Sequence, residues 1–216
     1  MNRCKWCNLN NPEYVIYHDK EWGQINKNDK YLLEMLILES FQAGLSWECI
    51  LNKRENFRYA YDNFDIDKIT QYDETKIKEL MQNDEIIRNK LKITASITNS
   101  KIFKQIQAEY GSFYTYLQTF AKGKITYETD KTTNSLSDKI SKDLQKRGMK
   151  FVGSTTIYAY LQAIGVIYSH TTTCYLYKKD WVILFFQKFC NGKQTHINLK
   201  SLSNAMFMFL QWPLCH

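Results

Sequence analysis

The residues whose types and spacing most directly suggest chemistry are Cys4, Cys7 and His18 near the start of the chain and the pair His170 and Cys174 much further on. Thiolates and imidazoles are the ligands that zinc prefers, and a structural site takes four of them in a tetrahedron. His-x-x-x-Cys places two ligands one turn apart on a helix, or within reach of each other across a turn. Cys-Lys-Trp-Cys alone would look the same if its thiols were simply half-buried, so spacing leaves the ligand set open. With four protein ligands no position remains for water or substrate, and the ion would be structural.

A second candidate is Glu39, a carboxylate in the apolar stretch that includes Leu32, Leu33, Met35, Leu36, Ile37 and Leu38. It must be paired, hydrogen-bonded or turned to a pocket, because burying a lone charge is costly. The other reading is a helix whose wet face carries it, and Glu34, five residues earlier, reads as surface. Trp6, Tyr14, Tyr17, Trp22 and Trp47 form a third group, suited to stacking a flat heterocycle or to ordinary core. The fourth is Lys146-Arg147-Gly148-Met149-Lys150-Phe151-Val152-Gly153-Ser154-Thr155-Thr156. Its glycines allow a tight turn, and a helix beginning after the second would aim free amides at an anion; a plain helix–helix turn fits equally well. Arg88, Lys90 and Lys92 read as a solvated helix face.

Helices must position these groups. Only Pro12 and Pro213 interrupt the chain, so helix is permitted almost throughout. Apolar residues recur at helical spacing in 30–43, 48–64, 74–81, 86–110, 112–120, 135–147 and 154–167, which predicts an all-α core. Asp29, Asp73 and Ser154 stand where N-caps belong, and Gly111, Gly123, Gly148 and Gly165 near helix ends. The polar stretch 122–134 reads as an exposed connection. From Trp181 onward no acidic residue occurs, aromatics crowd and the helical pattern fades, so residues 180–216 are set apart as a tail and 1–179 as one domain.

The 216 residues carry a net charge of +7 with 44% hydrophobic residues, which excludes wholesale disorder and favours a polyanionic partner. The polar start lacks the apolar stretch of a secretory signal, and no apolar run is long enough for a bilayer, so a cytoplasmic protein without a membrane partner is expected. In that compartment cysteines are thiols or metal ligands rather than disulfides. Nothing suggests more than a monomer.

Five motifs in order carry a resemblance that runs from Met1 to about Lys179: RCKW (3–6), YHDKEWG (17–23), LESFQAGLSW (38–47) followed by LNKREN, IIRNKLKI (86–93) and KRGMKFVGSTT (146–156). The chain resembles the DNA-3-methyladenine glycosylase I family of base-excision repair enzymes, within the helix-hairpin-helix superfamily. The resemblance implies a helical helix-hairpin-helix glycosylase fold whose N- and C-terminal segments are joined by one structural zinc on Cys4, His18, His170 and Cys174. Cys7 is not a ligand in the family, though its place beside Cys4 leaves it as a competitor of His18. Glu39 would read the flipped base, framed by Tyr17 and Trp47 with Trp6, Tyr14 and Trp22 nearby. Gln42, Gly44 and Leu45 would enter the base stack, and Gly148, Lys150, Gly153 and Ser154 would hold the DNA backbone. The implied activity is monofunctional: hydrolysis of the N-glycosidic bond of 3-methyladenine in alkylated double-stranded DNA, without strand cleavage. The alternative is a non-catalytic zinc-stabilised helix-hairpin-helix module that binds DNA, which would have no physical need for Glu39, Tyr17 and Trp47 together. Two departures from the family pattern, Asp84-Glu85 before IIRNKLKI and Gln118, bear on local packing only.

Overall fold

The computed structural model describes residues 1–178, so the tail expected at 180–216 lies outside the described residues. Ten α-helices follow in order: α1 (Pro12–Lys20), α2 (Asp29–Gln42), α3 (Trp47–Leu51), α4 (Arg54–Ala60), α5 (Ile66–Ile69), α6 (Glu74–Gln82), α7 (Lys90–Tyr110), α8 (Phe113–Ala121), α9 (Ser135–Lys146) and α10 (Ser154–Ala163). Met1–Tyr177 forms one contact unit. Its centre is α2, whose residues from Leu32 to Phe41 are all buried and which packs against α3, α7, α8 and α10. A helix buried on every side cannot show a strong polar face, and α2 accordingly reads as an almost unbroken apolar run.

Short polar side chains start most helices, as their orphan N–H groups require. Asn11, Asn28, Ser46, Asp73, Asn89, Ser112 and Asn134 each accept from a backbone N–H in the first turn of the helix that follows. Of the caps expected from sequence, Asp73 serves as one. Asp29 does not, because Asn28 caps α2 and leaves the Asp29 carboxylate to accept from Phe113 N and Gln107 Nε2, which ties α2 to the α7–α8 corner. Ser154 is the first residue of α10, and the cap position falls to Gly153, which has no side chain to offer.

The helix expected at 48–64 is divided into α3, α4 and a 3-10 turn at Asp62–Phe64. Tertiary contacts override the local periodicity there: Asn52 accepts from Asn11 Nδ2, and Lys53 Nζ donates to the carbonyls of Asp84 and Glu85. The chain also holds two helices outside the expected spans, α1 and α5. A two-residue parallel β pairing joins Thr126–Tyr127 (β1) to Ile167–Tyr168 (β2), so the connection at 122–134 is anchored next to His170 rather than wholly free. Gly165 makes the close approach beneath this turn possible. Its φ is +79°, and a Cβ there would lie 2.3 Å from the carbonyl carbon of Gln24.

Candidate active site and metal centre

The N-terminal arm, α1 and the turn after β2 bring Cys4, His18, His170 and Cys174 together, all four buried, with their ligand atoms within 4.8 Å of one another. Cys4 Sγ lies 3.5 Å from His170 Nδ1, and Cys174 Sγ lies 3.5 Å from both His170 Nδ1 and His18 Nε2. His170 and Cys174 meet across a turn closed by Cys174 N donating to Thr171 O, not along a helix. Each imidazole has its other nitrogen engaged. His18 Nδ1 is 2.8 Å from Asp19 Oδ1, and His170 Nε2 is 3.4 Å from Trp22 O. A carboxylate or carbonyl at the far nitrogen fixes the tautomer and turns the near one toward a metal.

Asp19 is pinned in turn by Arg3, which donates from Nε and Nη2 to its two oxygens at 2.8 and 2.6 Å. That pairing holds its carboxyl well below the usual carboxylate range. Burial pushes the Cys4 thiol up to about 11, the expected state of a crowded thiol that no cation compensates. A metal ion reverses that preference by stabilising the thiolate. Cys7 stands outside the group, with its Sγ donating to Tyr14 O.

The second cluster draws on α1, the last turns of α2 and the start of α3. Glu39, near the end of α2, is 4% exposed; burial alone raises its pKa to about 8, and its Oε2 has no hydrogen-bond partner. Trp47, the first residue of α3, buries an Nε1 that is likewise unpartnered. Tyr17 on α1 places its ring 5.3 Å from that of Trp47, and burial lifts its phenol well above the usual range, with Glu39 adding to the effect. Tyr14, its phenol pushed up to about 12 mainly by burial, feels Glu39 as well. Trp6 and Trp22 connect the two clusters: their rings are 4.8 Å apart, Trp6 lies 5.5 Å from Tyr14 and 5.1 Å from His18, and Trp22 lies 4.7 Å from His170. A buried acceptor and a buried donor left without partners, among aromatic rings, are complementary to the edge and face of a flat polar molecule.

Two charged residues read from sequence as surface are buried. Glu34 accepts from Arg54 Nε at 2.6 Å and from Arg58 Nε at 2.9 Å, while Arg54 Nη1 donates to Glu21, so α1, α2 and α4 are joined by one charged network. Lys92, 8% exposed, donates from Nζ to Phe41 O and Ala43 O. Local spacing does not reveal either, because their partners lie 20 to 51 residues away. Asp19 is a further member of the site that motif spacing does not single out; its one local sign is a carboxylate directly after a candidate ligand histidine. An open groove of about 240 Å³ at the far end of α2, lined in part by Asp29, Leu33, Asp65 and Gln107, holds none of these groups.

The loop after α2 and the hairpin between α9 and α10 are the exposed candidates for DNA contact. Gln42 is half-buried and Ala43–Ser46 are exposed; Gly44 turns at φ +81°, Leu45 N donates to Gln42 O, and the Leu45 side chain is 40% exposed. In the hairpin Gly148 has φ +104° and Lys150 is exposed. The Ser154 hydroxyl donates to Asp138 Oδ1 at 2.5 Å, so what α10 offers an anion is its uncapped backbone amides and positive dipole end.

Residues 6–177 match the methyladenine glycosylase family. The chain is 39% identical over 183 residues to DNA-3-methyladenine glycosylase 1 of Escherichia coli (strain K12), covering 82% of this chain and 97% of that protein. It is similar to a crystal structure of 3-methyladenine DNA glycosylase I, with a TM-score of 0.78 and 37% identity over 82% of this chain and 100% of the other. A variant of a 3-methyladenine DNA glycosylase I crystallised in complex with 3-methyladenine also has a TM-score of 0.78, at 32% identity over 83% and 99% of the two chains.

Proposed function

The chain belongs to the methyladenine glycosylase family, and from that premise we propose that it is a monofunctional DNA glycosylase that hydrolyses the N-glycosidic bond of 3-methyladenine in alkylated duplex DNA. The observation that carries this reading is Glu39: a buried carboxylate with an unpartnered oxygen, close enough to Tyr17 to raise its phenol further, with the Tyr17 ring against that of Trp47, whose Nε1 is also buried without a partner. A base methylated at ring nitrogen three is a delocalised cation while still attached to its sugar. Aromatic faces and one carboxylate therefore favour it over neutral adenine. Burial raises the proton affinity of Glu39 in the free protein, and the arriving cation draws it to the ionised form. The group that selects the base also holds the charge that makes it a leaving group, and water completes the displacement at the sugar carbon.

Extrusion of the base is assigned to Gln42, Gly44 and Leu45, and backbone grip to Gly148, Lys150, Gly153 and the α10 amides. Neither contact reads sequence. No lysine lies among the pocket residues to form a covalent intermediate with the sugar, in keeping with base release without strand cleavage.

Cys4, His18, His170 and Cys174 fit zinc. Tetrahedral Zn–S and Zn–N bonds of ordinary length set ligand edges at about 3.5 Å, as three of the Cys–His separations do. When bound, the ion supplies cross-linking of the N-terminal arm to the turn after β2, and with four protein ligands it has no open position for chemistry.

The test is release of free base from methylated duplex by the purified, metal-loaded protein, with chromatographic identification. The expected result is 3-methyladenine with little 7-methylguanine, the strand staying intact until alkali is added. Salt-dependent duplex binding with no base released would instead identify a non-catalytic DNA-binding module.

A further inference from the structure

The long helix α7 reaches both loops assigned to DNA, and does so with two buried polar side chains on one face. Lys92, in its first turn, places Nζ 2.8 Å from Phe41 O and 2.6 Å from Ala43 O, the carbonyls that end α2 and open the Gln42–Leu45 turn. Among the described residues it forms no ion pair. A buried ammonium is costly, and two backbone carbonyls at a helix C-terminus are what compensate it here. Asn99, 1% exposed, makes a paired contact with the hairpin: Nδ2 donates to Lys150 O, and Oδ1 accepts from Lys150 N, both at 2.9 Å.

Seven residues are two helical turns, so the two side chains leave the same face about 10 Å apart along the axis. Each clamp also lands beside backbone that needs holding. Gly44 turns at φ +81° before the exposed Leu45, and Phe151, next to Lys150, is held at φ +55° with its ring 37% exposed. A bulky residue keeps a left-handed φ only where its surroundings enforce it.

We propose that Lys92 and Asn99 are positioning residues, and that α7 is a bracket fixing the spacing of the Gln42–Leu45 turn and the Gly148–Gly153 hairpin so that both engage one duplex together. The proposal rests on the reading above for the assignment of those loops to DNA. The two clamps have separable effects: Lys92 governs entry of Leu45 into the stack, and Asn99 governs grip on the backbone.

Two assays test it on wild type, Lys92→Met, Lys92→Gln, Lys92→Arg and Asn99→Leu. One is single-turnover excision from methylated duplex. The other is fluorescence of a 2-aminopurine opposite an abasic-site analogue, which reports unstacking with no bond broken. Lys92→Met and Lys92→Gln are expected to lower the saturated rate tenfold or more and to leave the 2-aminopurine dim, with binding of free 3-methyladenine within twofold of wild type. Lys92→Arg, which keeps donors for the same carbonyls, recovers most of the rate. Asn99→Leu is expected to raise the duplex concentration for half-saturation about tenfold at an unchanged saturated rate. Wild-type rate and brightness in both Lys92→Met and Lys92→Gln would overturn the bracket, as would loss of free-base binding in step with excision. If wild type brightens the 2-aminopurine yet releases no base, the glycosylase reading fails, and the bracket stands on the dimming in the Lys92 variants.

Discussion

Two buried polar clusters sit side by side in this molecule, and they are finished differently. Around Cys4, His18, His170 and Cys174 each imidazole has its outer nitrogen engaged, by Asp19 or by Trp22 O, and Arg3 secures the Asp19 carboxylate. Around Glu39 and Trp47 the reverse holds, for a carboxylate oxygen and an indole N–H are buried without partners. A site for a permanent ion has every outer bond made in advance. A site for a transient molecule keeps polar atoms unpaired until that molecule arrives, and the native state bears the penalty. Trp6 packs on His18 and Tyr14 and Trp22 on Trp6 and His170, so ring contacts run from the Cys–His group to the aromatic residues of α1.

The largest way to sharpen this contrast is Glu39→Gln. Excision should fall roughly 100-fold or more, measured in single turnover, while metal content holds. The same variant should be relatively more stable at pH 8 than at pH 5. The folded-state pKa of about 8 lies above the ordinary 4.5, so the Glu39 contribution is fully present below about 4.5 and lost as pH rises through 8. Denaturant titrations at the two pH values should show the wild-type stability dropping by a few kcal/mol relative to the variant; a parallel pair of curves would mean that the carboxyl is hydrated.

Cys174→Ser probes the other cluster. It should lose its single equivalent of metal by elemental analysis and melt about 10 °C lower, equivalent to roughly 3 kcal/mol for a domain of this size. Retained metal at full stoichiometry would break the four-ligand reading. The smallest effect belongs to Asp19→Asn, which keeps all four ligands but weakens the partner of His18 Nδ1. Metal should be surrendered to a competing chelator at 10-fold to 100-fold lower chelator concentration, with the pocket's affinity for free base unchanged.

Much of this was legible in advance because it depends on near neighbours. The apolar run around Glu39 marked both the central helix and the anomaly within it, and Gly148 and Gly153 marked the hairpin. The limits of α2, α6, α8 and α9 followed from periodicity and caps to within a residue or two. The long window at 48–64 failed because Asn52 and Lys53 are committed to partners in other segments.

By itself, then, the sequence determined the helical class, the ends of α2, α6, α8 and α9, the supply of thiols, imidazoles and aromatics, and the anomaly of Glu39 in an apolar helix, all of which are properties of composition and local spacing. Only the tertiary structure decided that Glu34 and Lys92 are buried, that His18 rather than Cys7 joins Cys4, His170 and Cys174 in one buried group, and that Lys92 and Asn99 bond two separate loops from one helix face. The physical reason is that burial of a charge and the choice of a ligand turn on which distant backbone or side chain supplies the compensating bond, and that is fixed by how the helices pack, not by the residues that flank the group.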